Sequence, residues 1–414
     1  MLSGKQARSF AESTAPINIW EGAVRSGKTI SSLLRWAEYV ADAPKRGELA
    51  VIGKTTQTIG RNVFAPLIDP GVVGHSVARA ISYTIGAPTA TMFGRTVHVI
   101  GANDAKAEPK VRGLTGAGAY VDEITVVPEE FWNQLVARQS IPGAKIFGTT
   151  NPDNPAHWLR KKWLLAGNPS VRSWHFGLDD NPFLAPDYVA HLKRSYQGLW
   201  YRRFILGEWC AAEGAIYEQF DQQRHVVQPN QLPFITTWLC VAIDYGTTNP
   251  FHAVLIGVGL DHKLYVVAEY RWDSRAKQRQ LTDVEYSREL RQWLLTVRIP
   301  GTELSGVSPQ YVIVDPSATS FRVQMHRDGL SPWLADNEVL DGIRVVAGLF
   351  GTDQLLISAQ CPALIDELHG YSWDSKAQEK GEDKPLKIND HGVDALRYGL
   401  KTTEPVWRSL VAPA

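Results

Sequence analysis

Residues 22–29 read Gly-Ala-Val-Arg-Ser-Gly-Lys-Thr, an unbroken G-x-x-x-x-G-K-[ST]. This motif fixes a strand, a tight loop and a helix in that order. A bound triphosphate needs backbone N–H donors converging with no side chain in the way, and Gly22 and Gly27 bracket the loop that supplies them. Lys28 brings a point charge to the β- and γ-phosphates, and Thr29 offers a hydroxyl to Mg²⁺. Arg25, inside the loop beside Ser26, is a candidate charge stabiliser. Ile17–Trp20 is apolar before the loop; Ile30, Leu33, Leu34, Ala37 and Val40 recur at helical spacing after it. The four fixed positions arise by chance in about one chain of this length per hundred.

Nucleotide hydrolysis also needs a metal-binding acid and a group to polarise water. Ala119-Tyr120-Val121-Asp122-Glu123 offers both at a strand end: Asp122 for Mg²⁺ and Glu123 as general base. The stretch 145–152, Lys-Ile-Phe-Gly-Thr-Thr-Asn-Pro, reads as another buried strand, with Thr150 and Asn151 at its polar edge as a γ-phosphate sensor. An Asn-Pro turn is the plainer reading of those residues alone. Arg112, in Val111-Arg112-Gly113, is a second candidate charge stabiliser.

The first half alternates strand-like and helical patterns, as in a parallel sheet with flanking helices. Residues 157–209 read as mainly helical, in the position of a lid, and 213–232 as a connector. The expected division is therefore 1–212, 213–232 and 233–414.

In the last part, Trp238–Asp244, Ala253–Gly259 and Leu264–Tyr270 read as three strands, the last two joined by a turn. A helix is expected over Val284–Val297, a strand over Tyr311–Asp315, a helix from Ser320, a strand over Ile343–Ala347 and a helix over Asp390–Leu400. Three antiparallel strands followed by alternating helices and strands is the order of a ribonuclease-H-like domain. Asp244 ends its first strand, Asp315 its fourth, and Asp394 sits on the late helix. Carboxylates converging from separate elements suit two divalent ions that activate water and stabilise a leaving oxygen. Oxygen-only ligation favours Mg²⁺ or Mn²⁺. Each aspartate alone also suits a turn or a helix N-terminus. Asp390, one turn before Asp394, suits an N-cap at least as well as the site.

Composition narrows the partners. With 43 basic and 43 acidic residues in 414, no bulk electrostatic coat for DNA is expected. Local runs at 160–162, 193–194, 202–203 and 271–279 are weak DNA-contact candidates. Cys210, Cys240 and Cys361, without a C-x-x-C, suit a reducing compartment and exclude a cysteine zinc site. The N-terminus shows no signal-peptide core, and no apolar run is long enough to span a membrane.

GAVRSGKT at 22–29, VRGLTGAGAYVDE at 111–123, FGTTNP at 147–152, VAIDYGTTNPF at 241–251, VIVDPSA at 312–318 and NDHGVDALRY at 389–398 together resemble the large terminase subunits of tailed double-stranded DNA bacteriophages. The resemblance covers nearly the whole chain. It implies an α/β protein with an N-terminal P-loop (ASCE-type) ATPase domain plus a C-terminal RNase H-like nuclease domain. It makes Lys28, Thr29, Asp122 and Glu123 the ATPase residues, Thr149-Thr150-Asn151 the coupling motif, and Asp244, Asp315 and Asp394 the nuclease acids. Gln6 matches an adenine-contacting glutamine, and Arg112 a position that reaches a neighbouring subunit's ATP in some relatives. The resemblance further implies ATP and Mg²⁺ (Mn²⁺ at the nuclease site), double-stranded DNA, a portal protein and a small terminase subunit. It implies a ring on the portal, a monomer in free solution, a place in the host cytoplasm and absence from the mature virion. A long portal-binding tail is expected to be absent or reduced. Two readings compete: a helicase-like or repair ATPase with a structural second domain, and a nucleotide-switched scaffold without turnover.

Overall fold

The computed structural model describes residues 2, 4–102, 109–247 and 249–411; Thr248, within the 241–251 segment, lies outside them. The chain forms two compact units: Met1–Val189 with Leu199–Ala211 and Gln378–Glu382, and Ala190–Gly198 with Ala212–Ala377 and Asp383–Ala414.

In the first unit, α1 (Gly4–Glu12) precedes β1 (Ile17–Gly22), and α2 (Lys28–Asp42) follows the loop. The remaining strands are β2 (Glu48–Gly53), β3 (Ile81–Ser82), β4 (Thr89–Met92), β5 (Arg95–Gly101), β6 (Gly116–Val121), β7 (Lys145–Thr150) and β8 (Val171–Phe176). The sheet order is β3-β4-β5-β2-β6-β7-β1-β8, parallel from β5 to β8. Both faces are covered, so its strands are apolar on each side. Trp20, Trp36, Tyr120 and Phe147 fill one layer; Ile19, Val121, Ile146 and Trp132 fill the other. Leu33, Trp36, Ala37 and Val40 are buried along one stripe of α2. β7 separates β1 from β6, in the register Ile19↔Gly148 and Tyr120↔Phe147. The loop after β1, the polar end of β7 and the carboxylates after β6 therefore emerge at one sheet edge, where α/β proteins bind ligands. This is the ASCE-type P-loop arrangement.

The second unit holds β9 (Val226–Val227), β10 (Ile235–Asp244), β11 (Phe251–Gly259), β12 (Leu264–Trp272), β13 (Tyr311–Val314), β14 (Pro332–Leu334) and β15 (Leu355–Ser358), in the order β14-β13-β10-β11-β12-β15-β9. β10, β11 and β12 are antiparallel, and β13 joins β10 in parallel. That is the ribonuclease-H-like order, extended past β12 by two strands. Its helices include α3 (Asp283–Thr296), α4 (Thr319–Arg327), α5 (Val339–Gly351), α6 (Pro362–Gly370) and α7 (His391–Thr402).

One sequence expectation changes. Residues 343–347 lie inside α5, not on a strand; the strand is β15. A short apolar run reads equally as a buried strand or a buried helix. Here Ile343, Val346, Ala347 and Phe350 are all buried, and Gly342 lets the Arg397 stem of α7 approach, since a Cβ there would lie 2.4 Å from Arg397 Cγ. Residues 157–209 carry helical segments at Arg160–Leu164, Pro186–Ser195, Gly198–Trp200 and Tyr201–Ile205. They also contain β8, whose inward Trp174 and Phe176 alternate with exposed Ser173 and His175. The stretch 213–232 packs within the second unit: Ile216 N–H bonds Tyr371 O, Tyr217 stacks on Tyr371, and Val226–Val227 pairs with β15.

Candidate functional site

In the first unit the loop after β1 adopts the backbone its sequence requires. Gly22 has φ 131°, and a Cβ there would lie 1.9 Å from Phe176 O. Gly27 caps α2 in the left-handed conformation at φ 85°. Arg25, Ser26, Gly27, Lys28 and Thr29 line a cavity of about 610 Å³ with Asp122, Glu123, Thr149, Thr150, Asn151, Arg61, Asn62 and Asn181. This volume falls in the range of small-molecule sites. Ser26 Oγ is buried there without a hydrogen bond, as a group awaiting a polar ligand would be.

Lys28 Nζ donates to Ala23 O at 2.8 Å and to Asn151 Oδ1 at 2.7 Å. Burial pulls its pKa down to about 8, against the opposing charges of Glu123 and Asp122. The Asn151 amide donates to Glu123 Oε1 at 3.3 Å, so this one side chain joins the lysine to the acid. Glu123 stands at φ 59°, a left-handed backbone that turns its carboxylate from the strand end into the cavity. Burial, then the charge of Asp122, raises its pKa. Asp122 accepts from Asn62 at 3.1 Å and from Thr149 at 3.3 Å. Burial raises its pKa too, more than these bonds lower it. A carboxylate of raised proton affinity is suited to general-base work, and Asp122 with Thr29 presents oxygen to a hard cation.

Sequence reasoning missed Arg61 and Asn62. They stand on a π-turn at Gly60–Phe64, a feature common at functional sites and without a sequence signature. Gln6 is buried on α1 rather than lining the cavity; a Cβ on Gly27 would lie 2.0 Å from its Nε2, so its carboxamide packs against the loop. Arg112, at the end of the short helix Pro109–Arg112, is exposed and does not line this cavity. Arg203, within one basic run, is a core residue: it is 2% exposed, with Asp153 and Cys210 O as partners.

In the second unit, Asp244 and Asp315 leave the ends of adjacent parallel strands, paired at Ile243↔Val314. Asp315 Oδ2 accepts from Tyr398, one turn beyond Asp394 on α7. Burial raises the pKa of Asp244; the His391 hydrogen bond opposes this, and the charges of Asp394 and Asp315 add to it. The three carboxylates thus face one locale. Basic side chains hold two of them: Asp244 Oδ2 lies 2.8 Å from His391 Nδ1, and Asp394 accepts from Lys387 at 2.8 Å and Arg397 at 2.9 Å. As the side chains stand, no group of three or more His, Cys, Asp or Glu among the described residues is disposed to hold a metal ion. The donor set, three carboxylates in mutual repulsion beside a buried strand end, is nevertheless the chemistry of a Mg²⁺ or Mn²⁺ site.

Asp390 occupies the N-cap position of α7, but its side chain makes no cap hydrogen bond and lies 2.9 Å from Lys387 Nζ instead. The cap is Glu367, from α6, which accepts from Gly392 and Val393 N–H. Sequence reasoning missed this residue because a cap from another element has no local spacing.

His252 lies buried between two acids, with Nε2 2.9 Å from Glu269 Oε2 and Nδ1 3.7 Å from Glu367 Oε1. Burial lowers its pKa, but the hydrogen bonds and charges of Glu269 and Glu367 outweigh it and raise the net value. A raised folded pKa contributes stability that is complete below the unfolded value and lost as pH rises through the folded one. His252→Gln is therefore expected to cost about 3 kcal/mol or more near pH 6. The cost should shrink as pH climbs past the ordinary histidine range. Melting curves of both proteins across pH test this; a pH-independent difference would contradict it.

Among the described residues no helix is long and apolar enough to cross a membrane. The family model described as "Terminase large subunit, T4likevirus-type, N-terminal" matches residues 20–224. The terminase large subunit of Escherichia phage T5 is 23% identical over 286 residues, which span 66% of this chain and 61% of that protein, less than two thirds of its length. The large terminase of a thermophilic bacteriophage is 33% identical, with 97% of this chain and 99% of that one covered and a TM-score of 0.85. The same thermophilic-phage protein solved with ADP matches with a TM-score of 0.85, and with ATP-γ-S with 0.83. The topology of both units, the loop at 22–29 and the near-complete match to the thermophilic-phage protein agree, and the chain belongs to the large terminase family of bacteriophages.

Proposed function

We propose that this chain is the ATP-driven motor that packages viral double-stranded DNA into a procapsid, and the metal-dependent endonuclease that cuts the concatemer. The observation that carries this reading is the cavity in which Lys28, Asn151, Glu123 and Asp122 meet at one sheet edge. The thermophilic-phage relative, solved with ADP and with ATP-γ-S, supports it.

The loop N–H groups and Lys28 bind the β- and γ-phosphates. Glu123 takes the proton of a water whose oxygen bonds to the γ-phosphorus. The bond from that phosphorus to the bridging oxygen breaks, and ADP leaves with the electron pair. Asn151 touches both Lys28 and Glu123, so a change at the phosphate reaches β7 through it. Arg25 lines the cavity and serves as the stabiliser in cis. Thr29 and Asp122 would hold Mg²⁺, whose charge would offset that of the phosphates. In the second unit Asp244, Asp315 and Asp394 would hold Mg²⁺ or Mn²⁺, which supplies water activation and leaving-oxygen stabilisation. Phosphate contacts carry no base information, so little sequence preference is expected in the cut.

The partners of this reading are double-stranded DNA, a portal protein, on which the chains form a ring, and a small terminase subunit. The chain is a monomer in free solution, acts in the host cytoplasm and leaves before the virion matures. The test is packaging of DNA into portal-bearing procapsids, with ATP turnover and Mg²⁺-dependent plasmid cleavage measured on the same protein. Turnover without cleavage or packaging would favour a helicase-like or repair ATPase.

Arg112 lies off its own chain's cavity, and the role proposed for it is in trans, at a neighbouring subunit's ATP. Mixing Arg112→Ala with Lys28→Ala protein is then expected to restore part of the turnover in assembled rings. Rings that form without regaining turnover would exclude that role.

A further inference from the structure

The helix that carries Asp394 is held by a network the nuclease chemistry does not itself use. The first turn of α7 presents orphan N–H groups. Asp390, at the N-cap, leaves them unmet, and Glu367 accepts from Gly392 and Val393 instead. Glu367 is 5% exposed. Its other oxygen lies 3.5 Å from Arg271 Nη1 and 3.7 Å from His252 Nδ1. Its own helix, α6, is capped in the same way: Glu269 on β12 accepts from Ala363 at 2.8 Å and Leu364 at 2.9 Å, and also holds His252. His252 stands on β11 directly opposite Asp244 in the strand register. A Cβ on Gly392 would lie 2.5 Å from His252 Cε1 and 2.9 Å from Glu367 Oε2, so the first turn of α7 rests on this pair.

We propose that Glu367, braced by His252, Glu269 and Arg271, is a positioning residue for the metal site, fixing the first turn of α7 so that Asp394 meets Asp244 and Asp315. The proposal rests on the nuclease reading above. The physical argument is that Asp394 lies on that first turn, one residue beyond the two N–H groups that Glu367 holds. A free first turn lets the ligand carboxylate wander by more than a metal site tolerates. Carboxylates that orient ligand-bearing elements set metal affinity as strongly as some ligands do.

The test is Mn²⁺ binding to the full chain without nucleotide, read from the electron paramagnetic resonance of free Mn²⁺, beside DNA cleavage titrated with Mn²⁺. Glu367→Ala is expected to weaken Mn²⁺ binding about 10- to 100-fold. Its cleavage rate at saturating Mn²⁺ should return to near the wild-type value. Glu367→Gln keeps an acceptor for the two N–H groups and should stay within about threefold of wild type in Mn²⁺ affinity, well short of that loss. A residue that merely stabilises the unit would lower the melting temperature and the active fraction while leaving the Mn²⁺ dissociation constant unchanged. Should Glu367→Ala fail to fold, Glu367→Asp keeps the charge but withdraws the acceptor, and it should weaken Mn²⁺ binding in the same direction. Wild-type cleavage with an unchanged Mn²⁺ constant in the folded variant overturns the inference alone. A wild-type chain that neither binds Mn²⁺ nor cuts DNA overturns the nuclease reading and the inference with it.

Discussion

Lys28→Ala is expected to reduce ATP turnover by at least about a hundredfold, the scale of losing one preorganised charge at a reacting phosphate. The lysine is 6% exposed, and its ammonium donates to Ala23 O and Asn151 Oδ1. Its removal therefore takes a cation from the cavity without opening the core. Glu123→Ala separates binding from chemistry: ATP-γ-S should still bind, while turnover falls by about 10²–10⁴-fold, the usual contribution of a positioned base. Steady-state hydrolysis and nucleotide titration on both variants check this. Wild-type turnover in Lys28→Ala would sink the phosphate-loop assignment. Joint loss of binding and turnover in Glu123→Ala would make that residue structural.

The second large effect is at the carboxylates of the other unit. Asp244→Ala, Asp315→Ala and Asp394→Ala should each bring Mg²⁺- or Mn²⁺-dependent plasmid cleavage down to background, because each removes an oxygen ligand and the ions act together. ATP turnover should survive in all three. Asp390→Ala should reduce cleavage less, since Asp390 pairs with Lys387 and is not the cap of α7. Chelation should silence cleavage in the wild type to the same level. Cleavage that persists in any of the three variants would remove that residue from the metal site.

Much of the site in the first unit was legible in the sequence because its parts are local. A phosphate loop needs its glycines, lysine and hydroxyl at set spacing on one turn, so Gly22, Gly27, Lys28 and Thr29 can be read directly. Asp122 and Glu123 could be read because a strand end followed by two acids is a short pattern. Asp244, Asp315 and Asp394 were legible one by one, as acids at strand ends and in a first helical turn. What escaped came from elsewhere. Asn62 holds Asp122 from a π-turn 60 residues away. Glu367 caps α7 from α6, 25 residues before Gly392. Residues 343–347 escaped for a different reason: a helix buried on several sides loses the amphipathic period that identifies it.

The sequence by itself determined the strand–loop–helix at 22–29, the alternation of strands and helices that makes each unit α/β, and the residue types of both carboxylate sets. These follow from backbone sterics and periodicity, which act over a few residues. Only the tertiary structure decided that β7 separates β1 from β6, and so that Asn151 meets both Lys28 and Glu123. It alone decided that the cap of α7 comes from Glu367 rather than from Asp390, and that Gln6 lies against the loop while Arg112 does not line the cavity. Those outcomes depend on which strands pair and which buried polar groups find partners. Both are settled by the burial of the whole unit, because an unmet N–H or carboxylate costs the same whether its partner is three residues away or a hundred.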